Sequence, residues 1–170
     1  MEKGIRLQLG QKKEAIGSSM YNNPRPSPMP SNFVVARYKN GKIVKGSTYN
    51  FNPHRRFFHI VPREKEDEKI FEISFSELKA VFFVKSLEGK RDHPPAKADF
   101  EEDFKTRGTT TTMKITFLDG ETVMGTTHAY DPEREGFFVH PLDEENNNMR
   151  IYILVNAVKY LEIKKGVEEA

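Results

Sequence analysis

The 170-residue sequence has no cysteine and no tryptophan. Without cysteine there is no disulfide, thiol nucleophile, zinc ribbon or iron–sulfur cluster. No stretch approaches the roughly 18–20 consecutive apolar residues that a membrane-spanning helix needs. Met1–Met20 lacks the apolar centre of a secretory signal, so the expectation is a cytoplasmic protein with no membrane contact. Net charge is also scarce: 27 Lys plus Arg against 25 Asp plus Glu leave +2. That balance gives no uniform field for coating a polyanion. There is no nucleophile elbow, no Gly-rich phosphate loop and no His-Glu-x-x-His. The expectation is a non-enzymatic protein without cofactor or bound metal.

Charge becomes informative when counted by segment. Residues 1–32 carry +3, residues 33–89 carry +4, residues 90–112 balance, and residues 113–170 carry −5. A basic first half and an acidic last third cancel in the total, an asymmetry that matters for partners.

The first 32 residues show no periodicity and end in Asn22-Asn23-Pro24-Arg25-Pro26-Ser27-Pro28-Met29-Pro30-Ser31. Four alternate prolines suit neither a helix interior nor a central strand. They read as a flexible basic tail, with at most a short helix over Ile5–Gly17. A repeat begins at Phe33. Set against each other at an offset of 79 residues, Val34–Pro62 and Met113–Pro141 share eight identities in 29 positions without a gap. Gly41 meets Gly120, Gly46 meets Gly125, Pro53 meets Pro132, Arg55 meets Arg134, and Phe58 meets Phe137. Further on, Ala80-Val81 is set against Ala157-Val158. Shared glycine, proline and aromatic positions mark an internal duplication.

Each copy reads as short strands. Val34, Ala36 and Tyr38 alternate with Val35, Arg37 and Lys39, as Met113, Ile115 and Phe117 do with Lys114, Thr116 and Leu118. Asn40-Gly41 and Asp119-Gly120 are hairpin signals. Gly46 and Gly125 predict a bulge or bend within the next strand. Ile70–Phe75, Ala80–Lys85, Arg150–Leu154 and Ala157–Ile163 complete five strands per copy, with one helical turn at Ser76–Lys79. The expected fold is all-β: a tail (1–32), a first small barrel (33–89), a connector (90–112), a second barrel (113–163) and a C-terminal tail (164–170). A barrel removes exposed edges, which suits strands this short.

The strand, Asn/Asp-Gly turn, glycine-bearing strand and Asn/Asp loop over Val34–Ile60 and Met113–Val139 resemble an Sm-like barrel of the SH3-like class. With Phe75–Val84 and Asn146–Arg150 the whole of Phe33–Ile163 is similar to an uncharacterised bacterial domain family with two such repeats. The resemblance implies architecture more than activity. In Sm-like proteins an Asn or Asp at the place of Asn52 or Asp131 contributes to a uridine pocket. The later pocket position holds Phe57 or Phe58 here, and Gly136 or Phe137 in the second copy, which departs from that pattern.

The loop Asn52-Pro53-His54-Arg55-Arg56-Phe57 is the richest candidate binding site. Arginines offer planar donors to anions, and phenylalanine offers a stacking face. Arg37 adds charge nearby. A cyclic-dinucleotide reading after the manner of PilZ domains lacks its second element, since Asn50–Arg55 has neither the serine nor the glycine. His128 and His140 would face each other if Tyr130 paired with Phe138, without a third ligand for a metal. The leading expectation is a module that binds a protein partner. RNA or nucleotide binding through the basic first copy is the alternative, and homo-oligomerisation is open.

Overall fold

A computed structural model describes residues 31–63, 69–89, 110–143 and 145–165. The expected helix over Ile5–Gly17, the acidic run Glu64–Glu68 and most of the connector lie outside the described residues.

Ten strands form, five in each half, as the sequence predicts. The first half contains β1 (Asn32–Tyr38), β2 (Ile43–Thr48), β3 (Phe57–Ile60), β4 (Phe71–Ser74) and β5 (Leu78–Val84). The second contains β6 (Thr111–Phe117), β7 (Thr122–Thr127), β8 (Gly136–Pro141), β9 (Asn148–Leu154) and β10 (Val158–Lys165). A short 3-10 turn joins the last two strands of each half, Phe75–Glu77 in one and Val155–Ala157 in the other.

Both first hairpins close in the same way. Gly41 N–H donates to Tyr38 O and Gly120 N–H to Phe117 O, at 3.1 and 3.0 Å. Only the glycines take positive φ, at 87° and 86°. This is a type I turn followed by a left-handed glycine, which differs from the two-residue Asn-Gly turn that needs positive φ at both positions. Asn40 and Asp119 act instead through their side chains, accepting from Lys42 N–H and Glu121 N–H.

The halves diverge from the expected pair of closed barrels. An eight-stranded sheet runs β10-β6-β7-β8-β9-β5-β1-β2, and β3 pairs with β4 in a separate ribbon. Ser47 and Val61 bridge that ribbon to β2 with two backbone hydrogen bonds. The sheets are open. In each half the first strand lies between the second and the fifth, but the fifth does not pair with the fourth of its own half. β5 gives its second edge to β9 instead, setting Ala80 opposite Ile153, Val81 opposite Tyr152 and Phe82 opposite Ile151.

Burial explains the exchange. All seven residues of β5 are buried, and its only polar one is Lys79. Val81 and Phe83 enter one core, with Phe58, Phe75, Tyr152 and Leu154. Ala80, Phe82 and Val84 enter the other, with Ile115, Phe117, Ile151 and Ile153. A strand apolar on both faces belongs inside a sheet with both sides covered. Phe51 ties the second half into the first of these cores, its ring centroid within 5.0–6.1 Å of those of Phe58, Phe75, Phe83, Phe138 and Tyr152.

The register corrects the late repeat alignment. Leu78 faces Tyr38 and Val158 faces Phe117, so residues 78 and 158 are equivalent and the offset there is 80. Ala80 therefore corresponds to Tyr160, and Ala157 to Glu77. The expected bulge at Gly46 and Gly125 is also corrected. Both sit in unbroken register, opposite Val34 and Met113. Their role is close approach: a Cβ at Gly46 would lie 2.2 Å from Val61 O, and one at Gly125 2.3 Å from His140 O.

Candidate functional site

Two loops meet where the halves join. In the first, Asn52 Oδ1 accepts from His54 N–H at 2.9 Å, and Arg55 N–H donates to Asn52 O. In the second, Asp131 Oδ1 accepts from Glu133 N–H at 3.0 Å, and Arg134 N–H donates to Asp131 O. Asn and Asp make such turns because their short side chains mimic a backbone carbonyl. The Asn52 carboxamide is thus engaged in shaping the loop, and Arg134 pairs with Asp131 at 3.3 Å.

Between these loops run two adjoining depressions, of about 740 and 820 Å³. Pro53, His128, His140 and Tyr152 line the first. Arg55, Arg56, Ser76 and Asn156 line the second. His54, Glu133, Arg134 and Glu135 line both, so the two form one trough with a wall from each half. Each depression alone has the size of a small-molecule pocket.

The trough is electrically mixed. Arg55 and Arg56 are exposed on the first-half side, while Glu133 and Glu135 lie on the other. Tyr152 is buried beside it, and burial raises its phenol pKa. Glu135 adds to the rise and Arg134 opposes it. Tyr152 therefore keeps its proton and presents a donor. Gly136 makes this possible, because a Cβ there would lie 2.7 Å from the Tyr152 hydroxyl. The first half carries Phe57 at the equivalent place, and its side chain is 46 % exposed beside His59.

The structure brings His54, Arg55 and Arg56 together and places Arg37 elsewhere. Arg37 Nη1 donates to Glu121 at 2.6 Å, and its guanidinium lies 4.4 Å from the Phe82 ring centroid. Lys79 joins the same cluster. Its ammonium is held by Asp119 at 2.6 Å and by Glu121, and sits over the Phe117 ring. This cluster crosses the joint between β5 and the second half. Asn147 crosses it too, exchanging hydrogen bonds with the Ser86 backbone. None of these pairings is legible as a motif, because their partners lie 38 or more residues apart. The one sequence signal was the lone lysine in the apolar run Leu78–Val84.

The histidine pairing is also revised. His140 faces Thr126 rather than His128, so the register differs by two residues from the one that would set the imidazoles opposite. Both still line the trough. No group of three or more metal-binding side chains occurs among the described residues. No helix among them is long and apolar enough to cross a membrane.

The model of a family of unknown function (DUF6982) matches residues 31–165. No curated protein and no solved structure matches.

Proposed function

The chain belongs to that family of unknown function, and we propose that it works as a non-enzymatic interaction module of the cytoplasm, whose seam trough holds an extended segment of a protein partner. We further read each half as one unit of the Sm/SH3-like class, a run of five strands whose core is completed by residues of the other half. The observation that carries the binding reading is the trough itself. Two pocket-sized depressions share four residues along the seam, giving a site longer than one small ligand fills. Arg55 and Arg56 on one wall, and Glu133 and Glu135 flanking Arg134 on the other, suit a peptide bearing both charges, and Tyr152 offers a donor below.

A photo-crosslinking residue at His54, in the native cell, tests this. A defined protein adduct that disappears in the Arg55→Glu/Arg56→Glu variant is the expected result. The absence of any protein adduct overturns the reading.

One observation favours RNA as a second reading: Arg55, Arg56 and Phe57 are consecutive and exposed. Aromatic stacking next to guanidinium groups serves single strands. RNA retention on a filter at low salt, falling steeply as salt rises, is the outcome it requires.

A further inference from the structure

The eight-stranded sheet ends at β10, and beyond its other end the Ser47–Val61 bridge carries on to the ribbon whose outer strand is β4; no described strand pairs with the outer edge of β10 or of β4. They are the equivalents of the strands that meet in the middle. β10 corresponds to β5 and β4 corresponds to β9, because 158 matches 78, and Phe137 opposite Ile153 matches Phe58 opposite Ile73. The molecule therefore contains one complete joint and both halves of a second. We infer that these two edges pair head to tail between copies of this chain, with β10 of one copy antiparallel to β4 of the next.

The internal register fixes the external one. Ala80 faces Ile153 and Phe83 faces Arg150. By equivalence Tyr160 comes opposite Ile73, and Ile163 opposite Ile70. Exposure agrees with this. Ile70, Tyr160 and Ile163 are 52, 60 and 42 % exposed, large apolar side chains left uncovered on these two edges. Unpaired edges with apolar flanks invite a further strand.

Charge selects the occupant. A head-to-tail joint always sets an acidic second half (−5 over residues 113–170) against a basic first half (+4 over residues 33–89), as the internal joint does. Pairing β4 with β4, or β10 with β10, would set like against like. Being heterologous, the contact closes into a ring or extends as a filament according to its rotation.

The external joint is weaker than the internal one, for a stated reason. Lys159 stands at the place of Lys79, but Asn40 and Lys42 stand where Asp119 and Glu121 hold that lysine. The ion cluster is missing, so assembly depends on concentration. The inference does not rest on the trough, whose lining takes Ser74 from β4 and nothing from β10.

Sedimentation equilibrium and native mass spectrometry of the full chain, across a range of concentrations, test it. The expected masses are multiples of 19.7 kDa that grow with concentration. Ile163→Lys and Ile70→Lys, both at exposed positions, should each abolish growth. Mixing those two variants should give a 1:1 dimer and nothing larger, because one intact β4 edge and one intact β10 edge remain. Asn40→Asp/Lys42→Glu copies residues the second half already carries, and should tighten assembly roughly tenfold by restoring partners for Lys159. A monomer at every concentration overturns the inference. So does an assembly that survives either lysine variant, or a mixture that grows beyond two chains.

Discussion

Two glycines hold places where any side chain would collide with a neighbouring strand. Gly46 and Gly125 lie where the third strand of each half crosses the second, and a methyl group would meet a carbonyl oxygen at 2.2 or 2.3 Å. The obstacle is backbone and cannot rotate away. Gly46→Ala should therefore cost about 3 kcal/mol, read as a lowered urea midpoint with little change in slope. Lys79 supports a second prediction, one of asymmetry. Its side chain is 5 % exposed, while those of Asp119 and Glu121 are 49 and 39 % exposed. Removing the lysine leaves carboxylates that water can reach, so Lys79→Met should cost about 1 kcal/mol. Removing both carboxylates strands a buried ammonium, so Asp119→Asn/Glu121→Gln should cost about 3 kcal/mol or more. Equal losses would show that burial of the ammonium is not what distinguishes the partners. The duplication made the glycines visible in the sequence. It suggested a bulge, because a collision between strands is invisible until their register is known.

At the level of elements, alternation located the first strand of each half, apolar runs and turn residues bounded the others, and the hairpin turns appeared where Asn-Gly and Asp-Gly stand. The partners of the fifth strands were not legible. Both fifth strands follow the same 3-10 turn, and a single copy gives no reason for β5 to leave its own half. One signal was present. Leu78–Val84 is apolar on both faces, whereas Val158–Lys165 interleaves lysine and glutamate with its apolar residues. The candidate loop was readable as a loop rich in cations, but its second wall, Glu133 to Gly136, came from 79 residues away and was not. The joint also carries a pH dependence. The Lys79 hydrogen bond, and then the Glu121 N–H, hold the Asp119 carboxyl below its usual range. A carboxyl with its folded pKa depressed contributes stability above the unfolded value and loses it as pH falls through the folded one. The loss should begin near pH 4, the ordinary carboxylate range, and continue below it. Asp119→Asn should flatten that part of a stability-against-pH curve measured by urea unfolding, and an unchanged curve would remove Asp119 from the account.

Across the whole molecule, the two halves share cores as well as a sheet. Phe82 and Phe83 are neighbours in sequence and belong to different cores. Phe82→Ala and Phe83→Ala should each cost about 3–5 kcal/mol. Each should also shift one common unfolding transition, with near- and far-ultraviolet circular dichroism changing together. Two separable transitions, each sensitive to only one of the substitutions, would mean that the halves fold independently. The shared joint has a further consequence during synthesis. β5 is complete at Val84, but β9 begins only at Asn148, 64 residues later (148 against 84). At about 5–20 residues per second, the ribosome leaves that apolar edge without its own partner for roughly 3–13 s. A nascent chain stalled in this interval exposes a strand that the finished protein buries along its whole length, so the timing of translation, as much as the finished sequence, governs how safely it is made.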